Sequence, residues 1–160
     1  MKRADKEIRD RREIEAVIEE ARVCRLGLSD GGEPYVVPLC FGRDGDTIYF
    51  HGDSAGRKLD VIRRNDRVCV EFDVVDGVRE GPRACAWSVA YRSVIAFGRA
   101  RIVEDPAEKR RALGALMAQY SRDAHDFPDE AVLRTTIVAV TIERVSGKRS
   151  GGDPAKGSGR

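Results

Sequence analysis

The sequence predicts a mainly β domain of the α+β class, built as an antiparallel barrel with flanking helices. Short runs of β-branched and aromatic residues alternate with turn signals such as Ser29-Asp30-Gly31-Gly32 and Asp44-Gly45-Asp46. Helical patterns do not alternate regularly with these strands, which favours a closed antiparallel barrel over a doubly wound sheet. A chain of 160 residues is long enough for one well-buried core. We therefore predict one domain.

The first element is a helix over about residues 10–21. Ile14, Val17, Ile18 and Ala21 recur at the helical spacing i, i+3, i+4, i+7 among charged residues. This pattern is typical of an amphipathic helix that docks by one apolar stripe.

The next informative element is a strand at residues 34–41 that is apolar on both faces. Tyr35 and Val37 fall on one face, and Val36 falls on the other. Pro38 has no N–H to donate, so it favours the edge of a sheet or an irregular stretch. Because one face must contact something other than water, we expect a ligand or a partner subunit there.

Alternating patterns predict the remaining strands at residues 47–51, 68–74, 89–103 and 136–145. His51 shares a face with Tyr49, and Gly98 indicates a bulge or a barrel corner within the longest strand. Asp105 and Pro106 predict a helix start, with Glu108 placed to close a capping box. The apolar stripe of that helix comprises Leu113, Leu116, Met117 and Tyr120. Residues 150–160 are rich in Gly, Lys and Ser, and they are expected to form a disordered tail.

A short helix with an anion site at its start is predicted around residue 54. Ser54 can cap this helix, which places Gly56, Arg57 and Lys58 in its first turn. Free backbone N–H groups, the positive end of the dipole and two cationic side chains would then converge on an anion. The alternative is that Arg57 and Lys58 only solvate a helix end.

Several other chemistries find no support in the sequence. The chain has only two histidines, so a histidine-based metal cluster is not expected, and no G-x-S-x-G, G-x-G-x-x-G or Walker pattern occurs. Its four cysteines show no C-x-x-C spacing, which indicates small buried thiols in a reducing compartment.

Charge and hydropathy limit the expected partners. Lys and Arg nearly balance Asp and Glu, and the net charge of +2 does not indicate a nucleic-acid or membrane surface. Neither a membrane-spanning run nor a signal-peptide core is present, so we expect a cytoplasmic protein.

Several segments together resemble the flavin-binding split-barrel superfamily of pyridoxamine 5′-phosphate oxidase, and within it the nitroimidazole-resistance (Nim-like) branch. The resemblance extends from about Ile14 to Ser150. The segments that carry it are Cys24–Leu28, Pro34–Leu39, Tyr49–Gly52, Gly56–Lys58, Tyr91–Val94 and Gly98–Ala100.

The resemblance implies a six-stranded split barrel over residues 1–149 that forms a homodimer, with FMN in a cleft between the subunits. It places the isoalloxazine beside four cofactor-binding residues, Val36, Val37, Pro38 and Leu39. It also implies that His51 and Gly52 flank the ribityl phosphate, and that Gly56, Arg57 and Lys58 bind the phosphate. Ser93 stands where the oxidase has a flavin-contacting glutamine, and its shorter side chain weakens that contact.

The functions implied are flavin chemistry of two kinds. The first is an FMN-dependent oxidoreductase that reduces nitro-aromatic or similar small molecules, with His51 as the active-site residue. The second is a non-catalytic protein that stores or senses a flavin or haem, with His51 as an axial ligand of the haem. The substrate-binding Tyr and Arg of the oxidase have no evident match here, which weakens a vitamin B6 substrate specifically.

Overall fold

The computed structural model describes residues 4–123 and 125–150. The helices are α1 (Arg11–Glu20), α2 (Arg57–Arg64), α3 (Pro106–Tyr120) and α4 (Asp129–Arg134). The strands are β1 (Glu7–Ile8), β2 (Cys24–Asp30), β3 (Glu33–Leu39), β4 (Gly42–Asp44), β5 (Thr47–Gly52), β6 (Arg67–Arg79), β7 (Ser88–Val103) and β8 (Thr136–Ser150). Short 3₁₀ turns cover Ala4–Lys6 and Ala84–Ala86. The predicted tail beyond Ser150 lies outside the described residues.

The strands form a mostly antiparallel sheet of the split-barrel class, which confirms the predicted fold class. The order of neighbours is β3-β2-β6-β7-β8-β5-β4, and β1 pairs with β8. The described residues form eight strands, two more than the six that were predicted. Two of them, β1 and β4, have only two and three residues, too few to produce a recognisable alternating pattern.

The chain divides into two compact units, each assembled from separate segments. Among the described residues, 4–21, 72–95 and 146–150 belong to the smaller unit, and 22–71, 96–123 and 125–145 belong to the larger one. The assignment of a single domain stays a prediction. Within the smaller unit α1 begins at the cap residue Asp10, as the apolar spacing predicts, and it buries Ile14, Val17 and Ile18.

The larger unit carries the elements that bear on the site. Helix α3 packs on β4 and β5, where Tyr49, Ala112 and Leu116 share a buried cluster with Val103 and Ile137. Both faces of β5 are covered, because Ile48 and Phe50 are buried as well. Tyr49 is therefore a core residue, although the alternation of β5 assigned it to the face of His51.

The interior glycine of β7 has a clear steric reason, and the bulge or barrel corner expected there stays a prediction. A Cβ at Gly98 would collide with the backbone carbonyl of Thr141. The glycine thus permits a close approach of backbone to backbone, and β7 continues unbroken to Val103. Strand β8 also extends beyond the predicted Val145 to Ser150.

The cysteines depart from the expectation of buried thiols. Cys24 is buried, and desolvation raises the pKa of its thiol to about 12. Cys69 is half-buried, whereas Cys40 and Cys85 are exposed. Cys40 directly follows the edge strand and Cys85 lies in a 3₁₀ turn, and both positions are exposed. Within residues 4–123 and 125–150, every helix is too short or too polar to cross a membrane.

Candidate cofactor site

Strand β3 is an edge strand, as Pro38 predicts, because it stands at one end of the sheet order. It pairs with β2 in antiparallel register, with Gly27 opposite Val36 and Arg25 opposite Pro38. None of the residues of β3 is buried, and Val36 is 61% exposed. Beside it lies a cavity of about 340 Å³, lined in part by Pro34, Val36 and Phe97. This edge therefore offers apolar surface together with one free row of backbone hydrogen-bonding groups.

The start of α2 differs from the sequence prediction. Gly56, not Ser54, is the N-cap residue, and no side chain caps this helix. The reason is the backbone: Gly56 has φ 129° and ψ 163°, a conformation open essentially to glycine alone. Ser54 lies too far before the first helical residue, Arg57, to act as the cap. The first N–H groups of α2 consequently lack a side-chain acceptor among the described residues.

Lys58 places its ammonium group next to the end of β5. Its Nζ lies 3.1 Å from the position that a Cβ on Gly52 would occupy. The side chain is half-buried, and desolvation lowers the pKa of the ammonium group, an effect that Asp53 partly opposes. Within the described part of the chain, Lys58 makes no side-chain hydrogen bond or ion pair. The structure therefore holds a partly desolvated cation near the uncapped end of a helix.

Arg57 is engaged by the β2–β3 hairpin. Its Nη2 donates to Glu33 at 3.1 Å and its Nε donates to Asp30 at 3.3 Å. These two hydrogen bonds raise the pKa of the guanidinium. The same group stacks over the Tyr35 ring, with its central carbon 4.6 Å from the ring centroid. Arg57 thus already has two carboxylate partners and an aromatic partner within the chain.

His51 is exposed at the end of β5 and lines a cavity of about 860 Å³. The other lining residues are Gly52, Asp53, Ser54, Pro128, Glu130, Ala131, Arg134 and Thr135. Five of the nine lining residues come from α4 and its flanks, which were not predicted from the sequence. Pro128 followed by Asp129 and Glu130, with Arg134 in the last turn, is a helix signal that could have revealed α4.

Comparison with known proteins assigns the family. Residues 10–149 match the sequence profile described as pyridoxamine 5′-phosphate oxidase. The chain belongs to this family. No curated protein matches the sequence.

Solved structures with the oxidase-family fold support the resemblance to the nitroimidazole-resistance branch. One is a candidate 5-nitroimidazole antibiotic resistance protein from Bacteroides thetaiotaomicron, 34% identical, with 89% of this chain and 86% of that chain covered and a TM-score of 0.80. Another is a flavocytochrome from Azotobacter vinelandii, which is 25% identical. The match covers 92% of this chain and 71% of that chain, with a TM-score of 0.78. A third is an FAD- and haem-binding protein from Mycobacterium smegmatis, which is 24% identical. The match covers 93% of this chain and 75% of that chain with a TM-score of 0.82, and it shows the fold alone.

Within this oxidase-family chain the predicted site residues fall into separate groups. Contacts join Lys58 to Gly52, and Arg57 to Tyr35 of β3, so the start of α2 meets both β5 and β3. Ser93 is half-buried on β7 within the smaller unit. Over residues 4–123 and 125–150 no cluster of His, Cys, Asp and Glu is suited to a metal ion.

Proposed function

We propose that this chain is an FMN-dependent oxidoreductase of the Nim-like type that reduces nitro-aromatic or similar small molecules. The observation that carries the proposal is the uncapped start of α2 beside Gly52, where Lys58 is a half-buried cation. Unsatisfied N–H groups and an adjacent cation are what a phosphate monoester requires. The 34% identity to the nitroimidazole-resistance candidate supports the substrate class.

The residues present fit the rest of the cofactor. The exposed side chains of Val36 and Phe97 provide apolar surface for a flat ring system. On the free edge of β3, alternate residues of the segment 36–39 direct backbone donors and acceptors toward the polar edge of that ring, and Pro38 contributes no donor. We assign the phosphate to Gly56 and Lys58, with His51 and Gly52 beside the ribityl chain.

When bound and reduced, FMN supplies electron pairs to the substrate. The chain itself binds, orients and shields the substrate, and we place that substrate in the cavity at His51. The imidazole of His51 is a side chain of that lining that can both donate and accept a proton, and its exposure leaves it accessible. Neither a protein nucleophile nor a metal ion is needed.

We further propose a homodimer with the cofactor at the subunit interface. The support is β3, an edge strand with no buried residue and with Val36 largely exposed. Such an edge is prone to pair with or pack on another chain. Sedimentation equilibrium with and without FMN measures the assembly, and a monomer under both conditions would contradict this part of the proposal.

The first experiment is an absorption spectrum of the purified protein, followed by titration with FMN monitored through flavin fluorescence. We expect flavin bands and saturable quenching. The FMN-loaded protein, reduced with dithionite and then freed of it in the absence of oxygen, should return to the oxidised spectrum only on addition of a nitroimidazole. His51→Ala should slow that reoxidation without abolishing FMN binding. A protein that takes up no FMN would refute the proposal.

The second candidate function is non-catalytic binding of a flavin or haem. It is favoured by the exposed position of His51 in a cavity of about 860 Å³, where an imidazole is free to serve as an axial ligand. Titration with haemin would then give a Soret band that His51→Ala abolishes. Turnover of a nitro compound by the reduced flavoprotein would instead favour the enzyme.

A further inference from the structure

We propose that Arg57 is a positioning residue that fixes the β2–β3 hairpin to α2, and that Lys58 is the side chain that recognises the phosphate. This inference rests on the proposed function, because it concerns how the FMN site is assembled. It departs from the paired Arg and Lys phosphate site that the sequence resemblance implies.

The first argument is the like-charge pair at the tip of the hairpin. Asp30 and Glu33 are directly opposite each other in the β2–β3 register, flanking a turn at Gly31 and Gly32. Two carboxylates facing each other across a strand pair repel and destabilise the hairpin. A cation between them removes that repulsion, and Arg57 donates to both.

The second argument is that the contact reaches along β3 toward the ring-binding segment. Arg57 stacks over Tyr35, which lies on the same face of the strand as Glu33 and Val37. A guanidinium suits this combination, because it can donate to carboxylates in its plane and stack on an aromatic ring. Arg64, near the other end of α2, also donates to Asp30 at 2.6 Å. The helix therefore holds both strands of the hairpin.

The third argument is the contrast with Lys58. The neighbouring Lys58 has no side-chain hydrogen bond or ion pair among the described residues, is partly desolvated and points to Gly52. A phosphate that recruited Arg57 would have to displace both of its carboxylate partners, Glu33 and Asp30, and only Asp30 would keep a cation, Arg64. Recruiting Lys58 breaks no such contact.

The test compares FMN with riboflavin, which has the same ring and ribityl chain without the phosphate. A phosphate ligand contributes only to FMN affinity, whereas a residue that positions β3 contributes to both flavins. We expect Arg57→Gln to weaken the binding of FMN and of riboflavin by the same factor, about two- to fivefold for a partly exposed ion-pair network. Lys58→Ala should weaken FMN by about ten- to a hundredfold and leave riboflavin nearly unchanged.

Two further variants control for charge and for local contacts. Arg63→Gln removes the same charge from the same helix at similar exposure, 52% against 47% for Arg57, but Arg63 pairs with Asp60 of α2. It should leave both affinities unchanged. Glu33→Gln breaks one partner of Arg57 and should weaken both flavins. If Arg57 were a phosphate ligand, this change would release it and FMN affinity would stay the same or increase.

The outcomes separate this inference from the function on which it rests. Equal losses of affinity for FMN and for riboflavin in Arg57→Gln support the positioning role. A loss of affinity confined to FMN in that variant overturns it. Unchanged or tighter FMN binding in Glu33→Gln overturns it as well. If the wild-type protein binds neither flavin, the proposed function fails, and amide hydrogen exchange decides the positioning role. Exchange at residues 33–37 that is faster in Arg57→Gln than in Arg63→Gln supports it, and equal exchange overturns it.

Discussion

Two helix starts in the larger unit are built in opposite ways. Asp105 caps α3 by accepting from the backbone N–H groups of Ala107 and Glu108, and Pro106 needs no acceptor. Gly56 begins α2 without any side-chain cap. A helix end that satisfies its own donors is complete, whereas one that leaves them open has the capacity to bind an anion. The capped start of α3 contributes to the fold, and the open start of α2 is where we propose that the cofactor phosphate binds.

The largest expected effect is on FMN affinity, and it distinguishes the two helices when one lysine is substituted on each. Lys58→Ala should raise the Kd for FMN by about ten- to a hundredfold, because one charge-assisted hydrogen bond is lost, with little change in the free energy of unfolding. Lys109 of α3 donates to the carbonyls of Leu133 and Thr135, so Lys109→Ala should lower stability and leave FMN affinity intact. Fluorescence titration and urea unfolding measure the two quantities. An equal increase in the Kd for FMN in both variants would show that the two helices do not differ in phosphate binding.

The next effect concerns the backbone at the open helix start. Gly56→Ala should cost about 1–2 kcal/mol of unfolding free energy, because the conformation at Gly56 is strained for any residue with a Cβ. The control is Gly114, in the interior of α3, where an added Cβ meets nothing within 4 Å. Gly114→Ala should stabilise by about 0.5–1 kcal/mol. Chemical denaturation of the flavin-free protein tests both, and stabilisation by Gly56→Ala would contradict the assigned cap.

A smaller effect tests which residues are caps. Asp105→Ala should lower the free energy of unfolding by about 1 kcal/mol, the usual contribution of an N-cap. Ser54→Ala should change it by less than about 0.5 kcal/mol, because Ser54 does not cap α2. Urea midpoints of the flavin-free variants give the comparison. A loss in Ser54→Ala as large as that in Asp105→Ala would restore the cap that the sequence predicted.

The smallest effect is a pH dependence that belongs to Lys58. Burial lowers its pKa in the folded state below the ordinary value of 10.5. Between the folded and unfolded pKa values the unfolded state therefore binds more protons, so the contribution of Lys58 to stability rises with pH in that window. The difference in unfolding free energy between wild type and Lys58→Gln should increase as the pH approaches 10.5. A flat or falling difference would show that Lys58 is not desolvated.

Local patterns in the sequence were sufficient for much of the fold. The spacing of Ile14, Val17 and Ile18 defined α1, Asp105-Pro106 defined the start of α3, and Pro38 indicated the edge strand. Each of these features depends on contacts within a few residues or on the chemistry of one residue. Helix α4 was missed because its signal is only six residues long.

The sequence by itself thus determined the fold class, the family and the segment that carries the candidate phosphate site. Only the tertiary structure decided what each residue of that segment does. Gly56 is the cap because the chain leaving β5 must turn into α2 there, and Arg57 is occupied because Asp30 and Glu33 lie 27 and 24 residues away along the chain. Contacts across such separations leave no periodic trace in the sequence, because the folding of β2 and β3 against α2 creates them.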